Sequence, residues 1–438
     1  MKKSIIFSTI GLLSCAFVNA EDVQRKAPVS KIAPKPPVEV IKPSQSDEDA
    51  QKETEKSIEK IVNQATKDDH AVIQVALLLD TSNSMDGLIN QARTYLWKIV
   101  NELSKAQQKG KLAKLSIALY EYGNSGTGDR DGNWVRQVMP FSNDLDTVSD
   151  KLFKLRTCGG HEYCGAAMSQ AIKGLKWEKE NANALKMIFI AGNEPFDQGK
   201  INYAEAIADC KEAGVVVNTI YCGEDLGHVY NSLRGGGSET KLWKDGATLG
   251  GGDFFIINHN SLPIDPETPY DKKIAELSVS INATYIAYGS AEVRVAKKNL
   301  QMAQDENARS LAPAAVMGRA KAKSSKSSYS NSSWDVVDYC DAEGIEVLAE
   351  LKEEMLPEEL KGKSKEEMQA YVKEQAEKRE AIQKEIRELS NQRDAWILNW
   401  KKEQKAAGKK VERTLDDVVI ESIHKQADKK GFTFEDKK

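Results

Sequence analysis

Histidine and cysteine are scarce in this chain, with five and six residues among 438. No Cys-x-x-Cys pair occurs, which removes the common structural zinc patterns. No His-Glu-x-x-His and no Gly-x-Ser-x-Gly run is present either, so the best-known metallohydrolase and serine-hydrolase signatures are missing. An excess of one charge is also lacking: 62 basic and 66 acidic residues leave a formal charge of -4, with both signs interleaved. There is no basic stripe and no interleaving of basic and aromatic residues, which argues against a nucleic-acid partner. Beyond the amino terminus no apolar run approaches about 20 residues, so a membrane-spanning helix is not expected there.

What is present begins with MKKSIIFSTIGLLSCAFVNA. Two lysines, an apolar run and Val18-Asn19-Ala20 as a small-residue cleavage site read as a secretory signal peptide over residues 1–20. The expected destination is therefore periplasmic or extracellular. A rival cut before Cys15 would leave a lipid-anchored protein. Five cysteines remain after cleavage, an odd number in a compartment that permits disulfides. Residues 21–70 combine a Pro-rich spacer, with five prolines between Pro28 and Pro43, and a short amphipathic helix marked by Ile58, Ile61, Val62 and Ala65.

The most informative stretch is Val72–Met85, VIQVALLLDTSNSM. Its first eight residues are apolar except Gln74, the signature of a strand buried on both faces. The run ends in Asp80-Thr81-Ser82-Asn83-Ser84, and a helical pattern follows. One carboxylate and several hydroxyls thus stand on a turn at the carboxyl end of a strand, the edge where open α/β sheets bind ligands. Hard oxygen ligands without thiolate or imidazole suit Mg²⁺, with Mn²⁺ or Ca²⁺ as substitutes. The plain alternative is that Asp80 caps the following helix and the serines form the turn.

From Val72 to about Ile257 strands and helices alternate. Candidate strands are Val72–Leu79, Lys114–Tyr122, Val135–Phe141, Leu185–Ala191, Val215–Tyr221 and Phe254–Ile257. Helical patterns lie at Leu88–Ser104, Leu145–Leu155, Gly165–Trp177 and Tyr203–Ala213. This predicts an α/β fold: a doubly wound, mostly parallel six-stranded sheet with helices on both faces, over residues 71–260. A mainly α-helical C-terminal region follows over residues 261–438. Within it, the Ser- and Lys-rich segment 321–333 reads as a flexible loop. Ser364 and Glu367 form a capping box for a long helix from Lys365 to about Lys402. Met368, Val372, Gln375, Arg379, Ile382, Ile386, Leu389, Arg393, Trp396 and Trp400 give that helix a coiled-coil-like seam. Arginines on the seam favour packing within the chain over a dimer zipper. A last helix is expected from Leu415 to Lys430.

The strand, the Asp-x-Ser-x-Ser turn and the helix together resemble a von Willebrand factor A-type domain of the exported bacterial type, with a metal-ion-dependent adhesion site. The resemblance implies that Asp80, Ser82 and Ser84 serve the metal. Two further loops complete the site in that family, and the chain departs from the pattern in both. On the Gly159-Gly160 pair, His161 stands where a Thr is expected and Glu162 follows. In the third loop Asn193 falls at an Asp position, with Glu194 adjacent. If Glu162 or Glu194 binds directly, the metal is held more tightly and adhesion weakens; if they act through water, the adhesive logic survives. Cys158 and Cys164 flank the second loop, and a disulfide between them would stiffen it, although spacing leaves connectivity open and Cys222 is another partner.

The function implied is an exported, metal-dependent protein-binding module, an adhesion or scaffold protein and not an enzyme. Its partner would offer an acidic side chain to the metal. A second reading is a structural envelope protein whose metal loop is vestigial. A third, a metal-dependent hydrolase, would ask His161 and Glu162 to activate water, but no complete catalytic set accompanies them. The sequence is silent on the oligomeric state.

Overall fold

Strand β1, Val72–Asp80, is buried along nearly its whole length and lies in the middle of a six-stranded sheet. Its even-odd alternation serves two cores at once. Ile73, Val75, Leu77 and Leu79 join one apolar cluster, while Ala76 and Leu78 join the other. A strand buried on both faces has no solvent side, so Gln74 needs internal partners. Its Nε2 donates to the Lys176 carbonyl at 3.2 Å and its Oε1 accepts from Glu178 N–H at 2.7 Å. The computed structural model describes residues 71–127, 133–223, 239–261, 265–408 and 413–434. The signal peptide, Cys15, the spacer and the short helix expected before residue 71 lie outside them.

After β1 come α1 (Asp86–Leu103), the short strands β2 (Ala106–Gln108) and β3 (Lys111–Leu112), then β4 (Lys114–Tyr122) and β5 (Val135–Ser142). Helices α2 (Leu145–Lys154) and α3 (Cys164–Gly174) precede β6 (Leu185–Gly192). Helix α4 (Tyr203–Glu212), β7 (Val216–Cys222), α5 (Glu239–Leu249) and β8 (Gly251–Ile257) complete the sheet. The strand order is β5-β4-β1-β6-β7-β8, parallel except for the β4–β5 pair. Helices α3, α4 and α5 cover one face; α1 and α2 cover the other. The expected doubly wound sheet is therefore present. Helix α5 was not foreseen: Gly246 interrupts its pattern, yet its ring neighbour Phe196 lies where a Cβ on that glycine would stand.

The remaining helices are α6 (Asp271–Ser280), α7 (Ala291–Leu311), α8 (Pro313–Lys323), α9 (Val336–Glu343), α10 (Lys365–Ala406) and α11 (Leu415–Asp428), followed by β9 (Phe432–Phe434). All described residues belong to one compact unit, Asp69–Lys438. Helix α11 returns to the sheet and completes the layer beside α1. Leu415, Val418, Val419, Ile423, Ala427 and Phe432 share one buried cluster with β1 and α1. Ser422 Oγ donates toward Asn218 Oδ1 at 2.9 Å, and β9 pairs with β2.

Helix α8 joins the helical region to α1. A Cβ on Gly318 would stand 3.0 Å from the Trp97 Cβ, so the glycine permits close approach of the two helices. Beside it, Arg319 is fully buried and bonds to Asp146 of α2 and Asp305 of α7. The segment 321–333, expected as a flexible loop, begins inside α8 and continues from residue 324 as turns outside regular helix. Lys321–Lys323 form the last turn of α8, Lys323 and Ser324 are fully buried, and Tyr329 donates to Asp146. Lys323, Ser324 and Ser328 spend their polar atoms on internal hydrogen bonds, whereas Lys326 and Ser327 are exposed.

Helix α10 packs its seam on α6, α8 and α9 of its own chain. The buried positions are Val372, Gln375, Arg379, Gln383, Ile386, Ser390, Arg393 and Ile397. They drift by one residue from the expected Ile382, Leu389 and Trp396. A straight α-helix has 3.6 residues per turn and walks off a seven-residue repeat in this way. The charged seam residues are paired: Arg379 bonds to Asp335 and Asp338, and Arg393 Nε bonds to Asp271, while Arg393 Nη2 has no hydrogen bond among the described residues and lies 3.7 Å from Asp265.

Candidate metal centre

Asp80 ends β1 with no exposed surface, and Thr81 and Ser82 are buried after it. The turn is fixed by its backbone. Thr81 N–H donates to the Tyr122 carbonyl, Cys158 N–H donates to the Thr81 carbonyl, and Ser82 N–H donates to Asp80 Oδ1 at 2.8 Å. These bonds tie the first loop to the end of β4 and to the second loop.

Two glycines set the spacing of the loops. Gly160 lies so close to the Gly123 carbonyl that a Cβ would stand 1.9 Å from its oxygen. Gly123, in the left-handed region at φ +76°, leaves open the point where a Cβ would meet both Asp80 Oδ1 and Glu162 Cγ.

Asp80, Ser82 and Glu162 are thereby brought together in a buried crest. Asn193 joins from the third loop: its Nδ2 donates to Ser84 Oγ at 3.1 Å, and its backbone N–H faces the Asp80 carboxylate. Glu194 is exposed, although its charge reaches both Asp80 and Glu162. Its backbone carbonyl is held by Trp243 Nε1 of α5 at 2.8 Å. His161 is exposed, and its ring stacks with Tyr163 at 5.8 Å and tilts against Trp134 at 6.0 Å, among aromatic neighbours.

The candidate disulfide is absent: Cys158 and Cys164 are free thiols. Cys164 is buried with its Sγ toward the Tyr122 hydroxyl at 3.8 Å, whereas Cys158 is exposed beside Gly126. Starting α3 at Cys164 turns that side chain inward and away from a surface partner. Cys222 is likewise free and buried.

Burial raises the Asp80 carboxyl to about 7, opposed by the Ser82 N–H and reinforced by the charge of Glu194. Burial, with the charge of Asp80 second, raises Glu162 to about 7. Such a crest disfavours its own negative charges, and a divalent cation reverses that preference. Three buried atoms here lack a hydrogen-bond partner: Asp80 Oδ2, Ser82 Oγ and Asn193 Oδ1. All are hard oxygens, the donor set that Mg²⁺ takes. Among the described residues no three His, Cys, Asp or Glu side chains converge as a metal cluster. An ion at this crest must therefore lean on hydroxyl and amide oxygens, and the residues present fit that requirement.

Sequence reasoning did not find Gly123, Trp243 or His259. His259 is buried against the backbones of Ser84 and Cys222, where burial lowers its pKa. None of the three carries a motif; each matters through where the fold places it.

The architecture and its crest define an open α/β domain that gathers side-chain oxygens at the carboxyl edge of its strands. Residues 74–243 match the family model described as von Willebrand factor type A domain, so the chain contains a domain of that family. No curated protein matches the sequence.

Among the solved structures similar over part of the chain are the following three. Proximal thread matrix protein 1 from the mussel byssus is 11% identical over 42% of this chain and 41% of its own, with a TM-score of 0.28. An aerotolerance-related membrane protein from Bacteroides fragilis is 15% identical, over 43% of this chain and 93% of that one, with a TM-score of 0.29. The SpRpn10 VWA domain is 16% identical, over 42% and 86%, with a TM-score of 0.30. The chain thus spans about two fifths of the length of the mussel protein.

Proposed function

We propose that this chain is an exported protein-binding module that holds a divalent cation, Mg²⁺ or its substitutes Mn²⁺ and Ca²⁺, on the Asp80 turn. Type A domains commonly mediate protein–protein interaction. Asp80 and Ser82 are its principal ligands, with Ser84 and Asn193 completing the first and third loops. Glu162 and Glu194 are the further acids of the site, and His161 borders it. The bound ion would act as a Lewis-acidic anchor for an acidic side chain of the partner. The chain's own residues position that anchor and exclude water from its inner side. We read the protein as a binder, without catalysis. The single observation that carries this reading is the set of buried, unpartnered oxygens on Asp80, Ser82 and Asn193.

A ligand that binds only the folded state stabilises it by RT ln(1 + [L]/Kd), about 2.7 kcal/mol at a hundredfold excess over Kd. Mg²⁺ is therefore expected to raise the melting temperature by several degrees. Asp80→Asn keeps the shape and removes the buried charge. It should fold in chelator at least as well as the parent and show no rise with Mg²⁺. Equal melting temperatures of the parent with and without Mg²⁺ would discard the metal and favour the structural envelope protein with a vestigial loop.

A further inference from the structure

We propose that Glu162 is an internal ligand of the cation held at Asp80, so that the chain's own carboxylate fills the coordination position that a partner would otherwise take. This rests on the metal reading above and goes beyond it by assigning a closed resting state to the site.

Three observations carry the assignment. Glu162 is 9% exposed, whereas the neighbouring acid of the third loop, Glu194, is exposed. A buried carboxylate without a cationic partner is costly, and the charges that act most on Glu162 are those of Asp80 and Glu194, both negative. Its Cγ and Asp80 Oδ1 crowd the same side of Gly123, 3.1 and 2.9 Å from where a Cβ on that glycine would stand, so the two acidic side chains are neighbours. The same turn carries the unpartnered Asp80 Oδ2 and Ser82 Oγ, oxygens that a shared cation would satisfy.

The second loop is also built to keep Glu162 there. Gly160 is pressed against the Gly123 carbonyl, and Ser125 N–H donates to the Gly159 carbonyl at 2.8 Å. On the other side, His161 is stacked with Tyr163 and packed against Trp134, whose carbonyl accepts from Gly123 N–H at 3.1 Å. The residues on both sides of Glu162 are thus anchored, and helix α3 starts two residues later.

The consequence is a shift in what the site does best. Two protein carboxylates balance the charge of a divalent ion, so the metal is held tightly and attracts an outside carboxylate weakly. A partner would have to displace Glu162, and removing that side chain would open the site.

Mn²⁺ provides the probe, because its binding and the number of waters it carries are read together from water-proton relaxation. In Glu162→Gln, the Mn²⁺ dissociation constant should rise about tenfold or more, and the bound ion should gain one exchangeable water. Glu194→Gln, which removes only a nearby charge, should raise the dissociation constant less and leave the water number unchanged. An unchanged dissociation constant and water number in Glu162→Gln would overturn the proposal. Should that variant fail to fold, Glu162→Asp carries the same two readings through its shortened side chain. Failure of the underlying metal reading looks different: the parent chain would not bind Mn²⁺, or Asp80→Asn would bind it equally well.

Discussion

A chain ending at residue 408 is expected to lose the cooperative unfolding transition of its α/β domain, although the sheet and helices α1 to α5 lie far upstream. The missing part is α11 with β9. Leu415, Val418, Val419, Ile423 and Phe432 are almost fully buried in the cluster built on β1 and α1. At about 1.5–3 kcal/mol for each large apolar side chain, their loss amounts to roughly 10 kcal/mol. Whole domains are stable by only about 5–15 kcal/mol. Polar groups are stranded too: Leu415 N–H caps Gln91 Oε1, and Asn218 and Asp253 lose Ser422 and Gln426. Circular dichroism and a urea titration of the shortened chain check this. Parent-like cooperativity would show that α11 is an accessory.

Arg319→Met should destabilise the protein by about 3–5 kcal/mol, the usual result when one partner of a buried ion cluster is removed. Arg319 is 1% exposed and reaches Asp146 at 2.6 Å, the Gln301 carbonyl at 3.0 Å, and Asp305. It also lies over the Trp97 ring, 4.7 Å from the centroid. Asp146 is on the α/β domain and Asp305 on the helical region, so this guanidinium bolts the two together. Without it, Asp146 keeps the Tyr329 hydroxyl but loses the ion-pair partner it has among the described residues. Urea denaturation gives the size of the effect. The double variant Arg319→Met/Asp146→Leu should recover part of the loss, because no buried carboxylate is then left bare at α2. A loss below about 1 kcal/mol would place Arg319 among ordinary surface ion pairs.

Local signals made the central features legible in the sequence. The apolar run Val72–Leu79 announces a doubly buried strand, and Asp80-Thr81-Ser82 announces what stands at its end. Ser364 and Glu367 mark the start of α10, and both hydrogen bonds of their capping box form. Long-range features were not legible. Nothing local to Leu415–Asp428 says that this helix packs beside α1, more than 300 positions upstream. The seam of α10 follows from its period, but which residues face inward was shifted by the drift of a straight helix. Lys323 reads as a loop residue because the carbonyl and acid that bury it come from α6 and α7. At the crest, Asp80 and Ser82 carry a pattern. The roles of Gly123 and Gly160 emerge only when two loops approach each other to within a Cβ radius. Glu162 was one of two candidate acids on equal terms, and burial separates it from Glu194.

The most direct measurement is anomalous diffraction from crystals soaked in Mn²⁺. The expected result is a single peak at the crest, about 2.0–2.3 Å from Asp80 Oδ2 and Ser82 Oγ, within ordinary metal–oxygen distances. Well-ordered Asp80 and Ser82 side chains with no peak between them, at saturating Mn²⁺, would contradict a divalent cation at this turn.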